Sequence, residues 1–351
     1  MVAFKNTWVG LDPEERYQML HATEVSAAQL DQEAESLGLV LPIEQTAVWM
    51  EYESTIPDRA YWGSYIIYDD EAPMALVSFM DYKTHGYHYL RAHHGPVYVS
   101  GPGEEQEEQV AQLLRSLVRK KDSKVAFIRM GILHDIPQSR PVLSTRPYDT
   151  TVFIDLADGD EDEILARFKA RGRRDVRKAL RETGAQVIDE TAQATQDFSE
   201  YYKIMEETGE RDGFTPAPLA DYQNMLEILG PDHARLFASR IDGDLISWSI
   251  DTIQGNLATR YYAASRRGPM RGVPDQEVYE SSVALGKLGC TSRDLMGIGS
   301  DFSPTLLDLN KFKTKFSNET VAVAPDRDLP VKDLFYKGLV AVKHLRDGKE
   351  A

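Results

Sequence analysis

The chain has 351 residues, 42% of them hydrophobic, enough to bury a substantial core and, by length, to form two domains. Its 40 basic and 56 acidic side chains give a formal charge of −16, a field that repels nucleic acid except at a local basic patch. Cys290 is the only cysteine, which excludes an intramolecular disulfide; no run approaches the ~20 apolar residues of a membrane helix, residues 1–14 lack a signal-peptide core, and a cytoplasmic protein is expected.

In chain order, residues 11–39 are rich in Glu, Gln and Ala, end at Gly38 and predict a helix; a short amphipathic stretch follows at 43–52. Strands are predicted at 63–68, 74–82 and 86–91, divided by the turn signals Asp69-Asp70-Glu71 and His85-Gly86. A helix at 104–121 and a strand at 124–130 come next. Three antiparallel strands, a helix and a further strand resemble the kernel of an acetyltransferase-like (GNAT) unit. Residues 137–147, dotted with proline, read as a linker. A strand at 151–156 and helices at 160–181, 192–209 and 218–229 follow. The kernel then recurs, with strands at 234–240, 245–254 and 258–264, a helix at 275–288 and a strand at 294–296. The expected class is α/β (α+β), with two GNAT-like domains in tandem. A last helix is predicted at 332–346.

Three stretches carry candidate chemistry. ARFKARGRRDVRKALR (166–181) holds eight basic side chains against one acid, Asp175. Helical spacing puts Arg174, Lys178 and Arg181 on one face and lets Val176 and Leu180 turn inward. The strip is either a landing site for phosphates or a solvated helix face. In LLDLNKFKTKF (306–316), Leu306, Leu309, Phe312 and Phe316 are expected in the core, with Lys311, Lys313 and Lys315 on the flank. A lysine held beside a packed aromatic supplies the fixed charge that an oxyanion or phosphate needs; the alternative is a surface lysine cluster. In ETGERDGF (207–214), Arg211 either clamps a phosphate or carboxylate or pairs with Glu207 one turn back. His85, His88, His93 and His94 crowd a strand and its exit, but no acid or cysteine at suitable spacing completes a metal set, so no metal site is expected. Neither Arg266–Gly272 nor His94-Gly95-Pro96 matches the loop that holds acetyl-CoA pyrophosphate, which points to another acyl donor.

The ordered series of Gln45-x-x-x-Trp49, His94-Gly95-Pro96-Val97, residues 151–156, ARGRRDVRKALRETGAQV, Glu207-Thr208 to Phe214, Tyr261-Tyr262-Ala263, Met296-Gly297-Ile298 and residues 311–316 resembles the FemABX family. That family moves amino acids from aminoacyl-tRNA onto the stem peptide of peptidoglycan precursors. The series spans residues 40–325, and the lack of a long heptad segment resembles the short form, without a coiled-coil insertion. The resemblance implies a first domain at 1–148 completed by a C-terminal helix at 329–351, and a second at 149–328. It implies that Lys313, following Phe312, stabilises the transition state or orients the tRNA end. By the same resemblance Arg211 lies near the precursor's phosphates, Tyr262 and Tyr261 line a pocket, and Trp49 and Gly95 belong to the substrate cleft. Arg167, Lys169, Arg173, Arg174, Arg177 and Lys178 would receive the tRNA.

Two departures concern the acceptor. The stretch Trp49-Met50-Glu51-Tyr52-Glu53 is acidic where family members often carry a lysine, and His94 stands where an arginine often precedes Gly-Pro. The expected partners are aminoacyl-tRNA and a UDP-linked or lipid-linked muropeptide, with peripheral association at the inner membrane face. Aminolysis of an activated ester requires no cofactor. The alternatives are a GNAT-like transferase acting on a protein or small metabolite, and a non-catalytic RNA- or precursor-binding protein.

Overall fold

The computed structural model describes residues 20–143, 147–266 and 272–347. The first half runs β1 (Leu20–Val25), α1 (Ala27–Ser36), α2 (Ala47–Glu53), β2 (Arg59–Asp69), β3 (Ala72–Thr84), β4 (Tyr87–Ala92), β5 (Val97–Tyr98), α3 (Glu104–Lys121), β6 (Phe127–Gly131) and β7 (Arg140–Pro141). The second runs β8 (Thr150–Thr151), β9 (Phe153–Asp155), α4 (Glu161–Arg167), α5 (Ala170–Glu182), β10 (Gln186–Asp189), α6 (Thr191–Gln196), α7 (Ser199–Asp212) and α8 (Leu219–His233). It continues through β11 (Ala234–Ile241), β12 (Asp244–Gln254), β13 (Leu257–Ser265), α9 (Val273–Lys287), β14 (Ser292–Asp294), α10 (Leu307–Lys313) and β15 (Val321–Ala322). The chain then returns to the first sheet with β16 (Asp326–Pro330) and ends in α11 (Asp333–Asp347).

Strands in the first sheet are ordered β1-β2-β3-β4-β6-β16-β7, with β5 also on β3; the second is ordered β10-β11-β12-β13-β14-β9. Each contains an antiparallel meander followed by a helix and one parallel pair: β4 with β6 across α3, and β13 with β14 across α9. This is the repeated GNAT-like kernel.

Period-two alternation explains how the first sheet is covered on both faces. Tyr65, Ile67, Val77 and Phe79 turn toward Val110, Leu114 and Val118 of α3. Their neighbours Ile66 and Leu76 turn the other way, toward Leu30 and Ala34 of α1. Helix α1 starts with a Ser26–Gln29 capping box. Helix α3 opens on Glu104, Glu105 and Glu107 and closes on Arg119, Lys120 and Lys121, charges that complement its dipole. The second sheet packs Phe237 and Ala258 against α4, α5 and α9 on one face. On its other face, Leu236, Trp248 and Ile250 meet α6, α7 and α8. Trp49, Met50 and Tyr52 of α2, from the first half, are buried in that same cluster. Each large side chain so buried contributes about 1.5–3 kcal/mol.

Several sequence expectations are corrected. Residues 20–25, expected in a helix, form edge strand β1, with Leu20 opposite Asp69 and Val25 opposite Ser64; residues 11–19 lie outside the described residues. The helices expected over 160–181 are α4 and α5, which the extended backbone of Phe168 separates. Leu180 and Leu309, expected inside, are 41% and 40% exposed. Leu309 turns outward because α10 is only seven residues long and is covered chiefly through Phe312 and the segment after it. Strand β16 was not anticipated, being only five residues with four charged or proline positions.

Candidate active site

Where the two parallel strand pairs end, their loops enclose a cavity of about 400 Å³ lined from both halves. The first half contributes Glu44, His94, Gly95 and Leu133, the second contributes Phe153, Thr259 and Asp294, and Tyr148 comes from the segment between them. Gln45 fixes the His94–Gly95 wall. Its side-chain amide donates to His93 O at 2.8 Å, and its Oε1 accepts from Ser78 N at 2.8 Å. A Cβ on Gly95 would lie 2.6 Å from Gln45 Oε1, so no other residue fits there without moving the clamp. His94 is held at φ +53°, uncommon for a residue with a side chain. The Gln45-x-x-x-Trp49 motif thus has two tasks, Gln45 setting this wall and Trp49 joining the halves.

Glu44 is buried between His93 and His94, its Oε2 3.3 Å from His94 Nδ1 and its Oε1 3.8 Å from His93 Nδ1. His94 Nε2 faces the Tyr148 hydroxyl at 3.2 Å. Burial alone would raise the Glu44 carboxyl; the charge and hydrogen bond of His94 hold it down to about 2. Burial pulls His94 down, but Glu44 outweighs it and the imidazole titrates above its ordinary value. His93, buried beside Arg91 and His94, falls well below the ordinary histidine value. The acid missing from the sequence reading of the histidines is therefore Glu44, about fifty residues upstream. The ligand atoms of Glu44, His93 and His94 lie within 4.8 Å of one another, so these are the residues able to hold a divalent cation.

Lys313 lies behind the cavity's second-half wall. Its ammonium donates to Met296 O at 3.1 Å and Gly297 O at 2.9 Å. Gly297 packs flat on the Tyr148 ring, where a Cβ would come within 2.3 Å of Cγ. Burial and the Arg260 guanidinium lower the Lys313 pKa to about 8, against the opposing charge of Asp294. Asp294 accepts from Thr151 Oγ1 and from Met296 N, and burial raises its carboxyl. Lys313 and Lys315 are not a surface cluster: Lys315 is buried in ion pairs with Asp275 and, at 3.8 Å, Asp175. Phe312 stacks edge-on against Phe316, which packs on Phe168.

The other sequence candidates fall around this centre. Helix α5 seats Gly172 directly on the Lys315 carbonyl, and Lys169 N donates to it at 3.0 Å, so the basic strip begins two residues from Lys313. Part of its charge is spent internally: Arg167 pairs with Asp155 and Glu163, Arg174 with Asp175, and Lys178 with Glu182, while Arg173 donates to the Phe168 carbonyl. Arg177, Lys178 and Arg181 are exposed. Tyr261 packs on Trp49 at 5.0 Å, and Tyr262 on Tyr222 at 4.9 Å. Burial pushes the Tyr262 hydroxyl up to about 12. Arg211 donates to Ser265 O at 2.6 Å and pairs with Asp212; Glu207, its expected partner, instead faces Arg266 at 3.5 Å. Of the sequence candidates, Gly95 alone lines the cavity, while Lys313 abuts it. Glu44, Tyr148 and Asp294 were not singled out, and His94 was weighed only as a metal ligand and as a departure from the family's motif.

A family model described as the FemAB family matches residues 126–259. FemX is similar in fold, with a TM-score of 0.70 at 17% identity, covering 90% of this chain and 99% of that one. The C-terminal domain of a protein assigned as a lysylphosphatidylglycerol synthetase from Agrobacterium fabrum follows at TM-score 0.54 and 15% identity, covering 86% and 92%. A tandem GNAT protein from the clavulanic acid biosynthesis pathway gives 0.51 and 11%, covering 89% and 98%. No curated protein matches the sequence. These likenesses establish the tandem GNAT-like fold, and the family match accords with the resemblance read from the motifs.

Proposed function

We propose, taking the FemAB match over residues 126–259 as premise, that the chain is an aminoacyltransferase that uses aminoacyl-tRNA to extend the stem peptide of a peptidoglycan precursor. The observation that carries this reading is a buried, carbonyl-tethered lysine behind a cavity shared by both halves, adjoining a basic helix. The helix would receive the tRNA backbone, where exposed Lys and Arg release counterions from phosphates. The Lys313 ammonium would face the charge that develops on the ester carbonyl oxygen.

The acceptor's side-chain amine attacks that carbonyl, forming the C–N bond. The ester C–O bond then breaks, and the ribose oxygen leaves with a proton that the amine has lost. The His94 imidazole, oriented by Glu44, stands at the cavity to pass that proton. A cavity of this size suits a small aminoacyl group and the end of an amine-bearing side chain.

The test is a transfer assay with a panel of radiolabelled aminoacyl-tRNAs and both soluble and lipid-linked precursors, with Lys313→Met as control. Product from the wild type and a loss of at least about tenfold in the variant are expected. Absence of labelled precursor with every donor would overturn the assignment. Transfer to proteins or metabolites instead would move the chain to a different GNAT-like acyl transferase.

A further inference from the structure

Two consecutive residues of an extended chain point their side chains to opposite sides. His93 and His94 depart from this. With His94 at φ +53°, the two rings come together, centroids 4.3 Å apart, against one carboxylate, that of Glu44. Gln45 holds both ends of the arrangement, since it follows Glu44 in the chain and its amide donates to the His93 carbonyl at 2.8 Å.

Glu44 is 3% exposed, yet only half of its carboxylate is accounted for. Its Oε2 meets His94 Nδ1 at 3.3 Å. Its Oε1 is buried without a hydrogen-bond partner and faces His93 Nδ1 at 3.8 Å, too long for a hydrogen bond. An ion pair between Glu44 and His94 therefore explains one oxygen and one ring, and leaves Oε1 and His93 facing each other across a gap. The spacing fits a metal ion. Ligands held tetrahedrally at ~2.1 Å from a metal stand about 3.4 Å from one another, close to the 3.3 and 3.8 Å found here. All three ligand atoms lie within 4.8 Å of one another, so a small contraction closes the set. The surroundings favour a cation as well. The cavity between the halves is lined by Glu44, Glu107 and Asp294 and, among the described residues, by no lysine or arginine. Arg91, which lines a second small cavity with His93 and His94, is neutralised by Asp326 at 3.0 Å.

We propose that Glu44, His93 and His94 form a binding site for a divalent transition-metal ion of the Zn²⁺ class, with the fourth position left to water. Two imidazole nitrogens and one carboxylate oxygen suit such an ion over Mg²⁺ or Ca²⁺, which take oxygen ligands. Glu44 and His94 line the cavity between the halves, so the ion is reachable from it. Binding does not depend on the transferase reading. One consequence does rest on it: the ion takes the Glu44 oxygen and the His94 nitrogen that orient the imidazole for the proton step, so filling the site should slow transfer.

The experiment is a titration of the untagged full chain, stripped by a chelator, with Co²⁺ followed by visible absorption and with Zn²⁺ followed by calorimetry. A single ion per chain is expected, with the intense absorption of four-coordinate Co²⁺. His93→Ala and Glu44→Gln should each weaken binding at least about tenfold; thermal melts verify that both variants fold. His88→Ala is the control for adventitious imidazole binding, because His88 pairs with Asp81 at 2.7 Å away from this cluster and its variant should bind like the wild type. Added Zn²⁺ should inhibit transfer by the wild type and spare His93→Ala. A wild type that binds no ion, binding that survives both ligand substitutions, or an equal loss in His88→Ala overturns the proposal. Transfer undiminished with the ion bound keeps the site and overturns the consequence for the proton step. Metal binding in a chain that transfers nothing even when stripped would refute the enzymatic reading alone; transfer by a chain that binds no metal would refute this one alone.

Discussion

In the first half, the strand after the helix carries Arg129, whose guanidinium grips Asp328 of β16 at 2.8 and 3.1 Å. In the second half, the corresponding strand carries Arg293, which grips Asp251 of β12 at 2.7 and 2.8 Å. All four side chains are buried. The second pair is satisfied within its own half: Arg293 also donates to Val278 O and contacts Ser281 and Ser282, while Ser249 links Asp251 to Glu277. The first pair must reach across 199 residues of chain. Two units of like topology thus differ in how this buried pair is closed, one within its own half and the other by a strand from far downstream. A buried arginine without its acid is costly, so the first half depends on residues 326–330, beyond the whole of the second.

The harshest way to break that comparison is to end the chain at Ala324, removing β16 and α11. The first half should lose its cooperative transition while the second retains protected amides, readable by hydrogen exchange. Protection remaining in β2, β3 and β6 would show the dependence to be illusory. Single substitutions come next: Asp328→Asn and Asp251→Asn should each cost about 3–5 kcal/mol in urea denaturation, since each removes the carboxylate charge that a buried guanidinium is bonded to. The paired replacements separate the halves. Arg129→Met/Asp328→Leu should recover much of the loss, whereas Arg293→Met/Asp251→Leu should recover less because Val278 O, Ser281 and Ser282 lose a donor.

Lys313→Met should lower the transfer rate on the order of 10²–10³-fold, about 2.7–4 kcal/mol of transition-state stabilisation. Because burial and Arg260 set the Lys313 pKa at about 8, against 10.5 for an ordinary lysine, activity that needs its charge should fall as pH rises through 8. Stability should move oppositely. The unfolded chain binds the extra proton between pH 8 and 10.5, so raising pH across that window relieves the cost of burying the charge. Lys313→Met should abolish both slopes. The smallest effect is expected from Arg177→Glu/Lys178→Glu on exposed α5: a several-fold rise in KM for aminoacyl-tRNA, and a salt dependence of KM reduced by about two charges, with kcat retained.

The long elements were readable because their patterns are local. Helix α3 was placed at Glu104–Lys121, since Gly101-Pro102-Gly103 precedes it and its acids and bases sort to opposite ends. The meander strands were readable from β-branched and aromatic runs between turn signals. Strand β16 was not, because its pairing with β6 is decided by Arg129, far away in sequence, and its own composition resembles a loop. The cavity was legible only through glycine and lysine motifs. Glu44 sits in an unremarkable Pro-Ile-Glu-Gln stretch, and nothing local tells that it lies between two histidines. Tyr148 closes a proline-dotted linker, and its role follows from Gly297 making room for its ring.

The burial of α2 has a mechanical consequence. Trp49 and Tyr52 belong to the first half by sequence, yet they are wedged among Phe198, Tyr222 and Trp248 of the second. Prising the halves apart would wet several large aromatic and aliphatic faces together, at about 1.5–3 kcal/mol each. The two units are thereby riveted rather than hinged. Selection among substrates must then work by fit to a mould of fixed width, and molecules meant to block it can be designed to that shape.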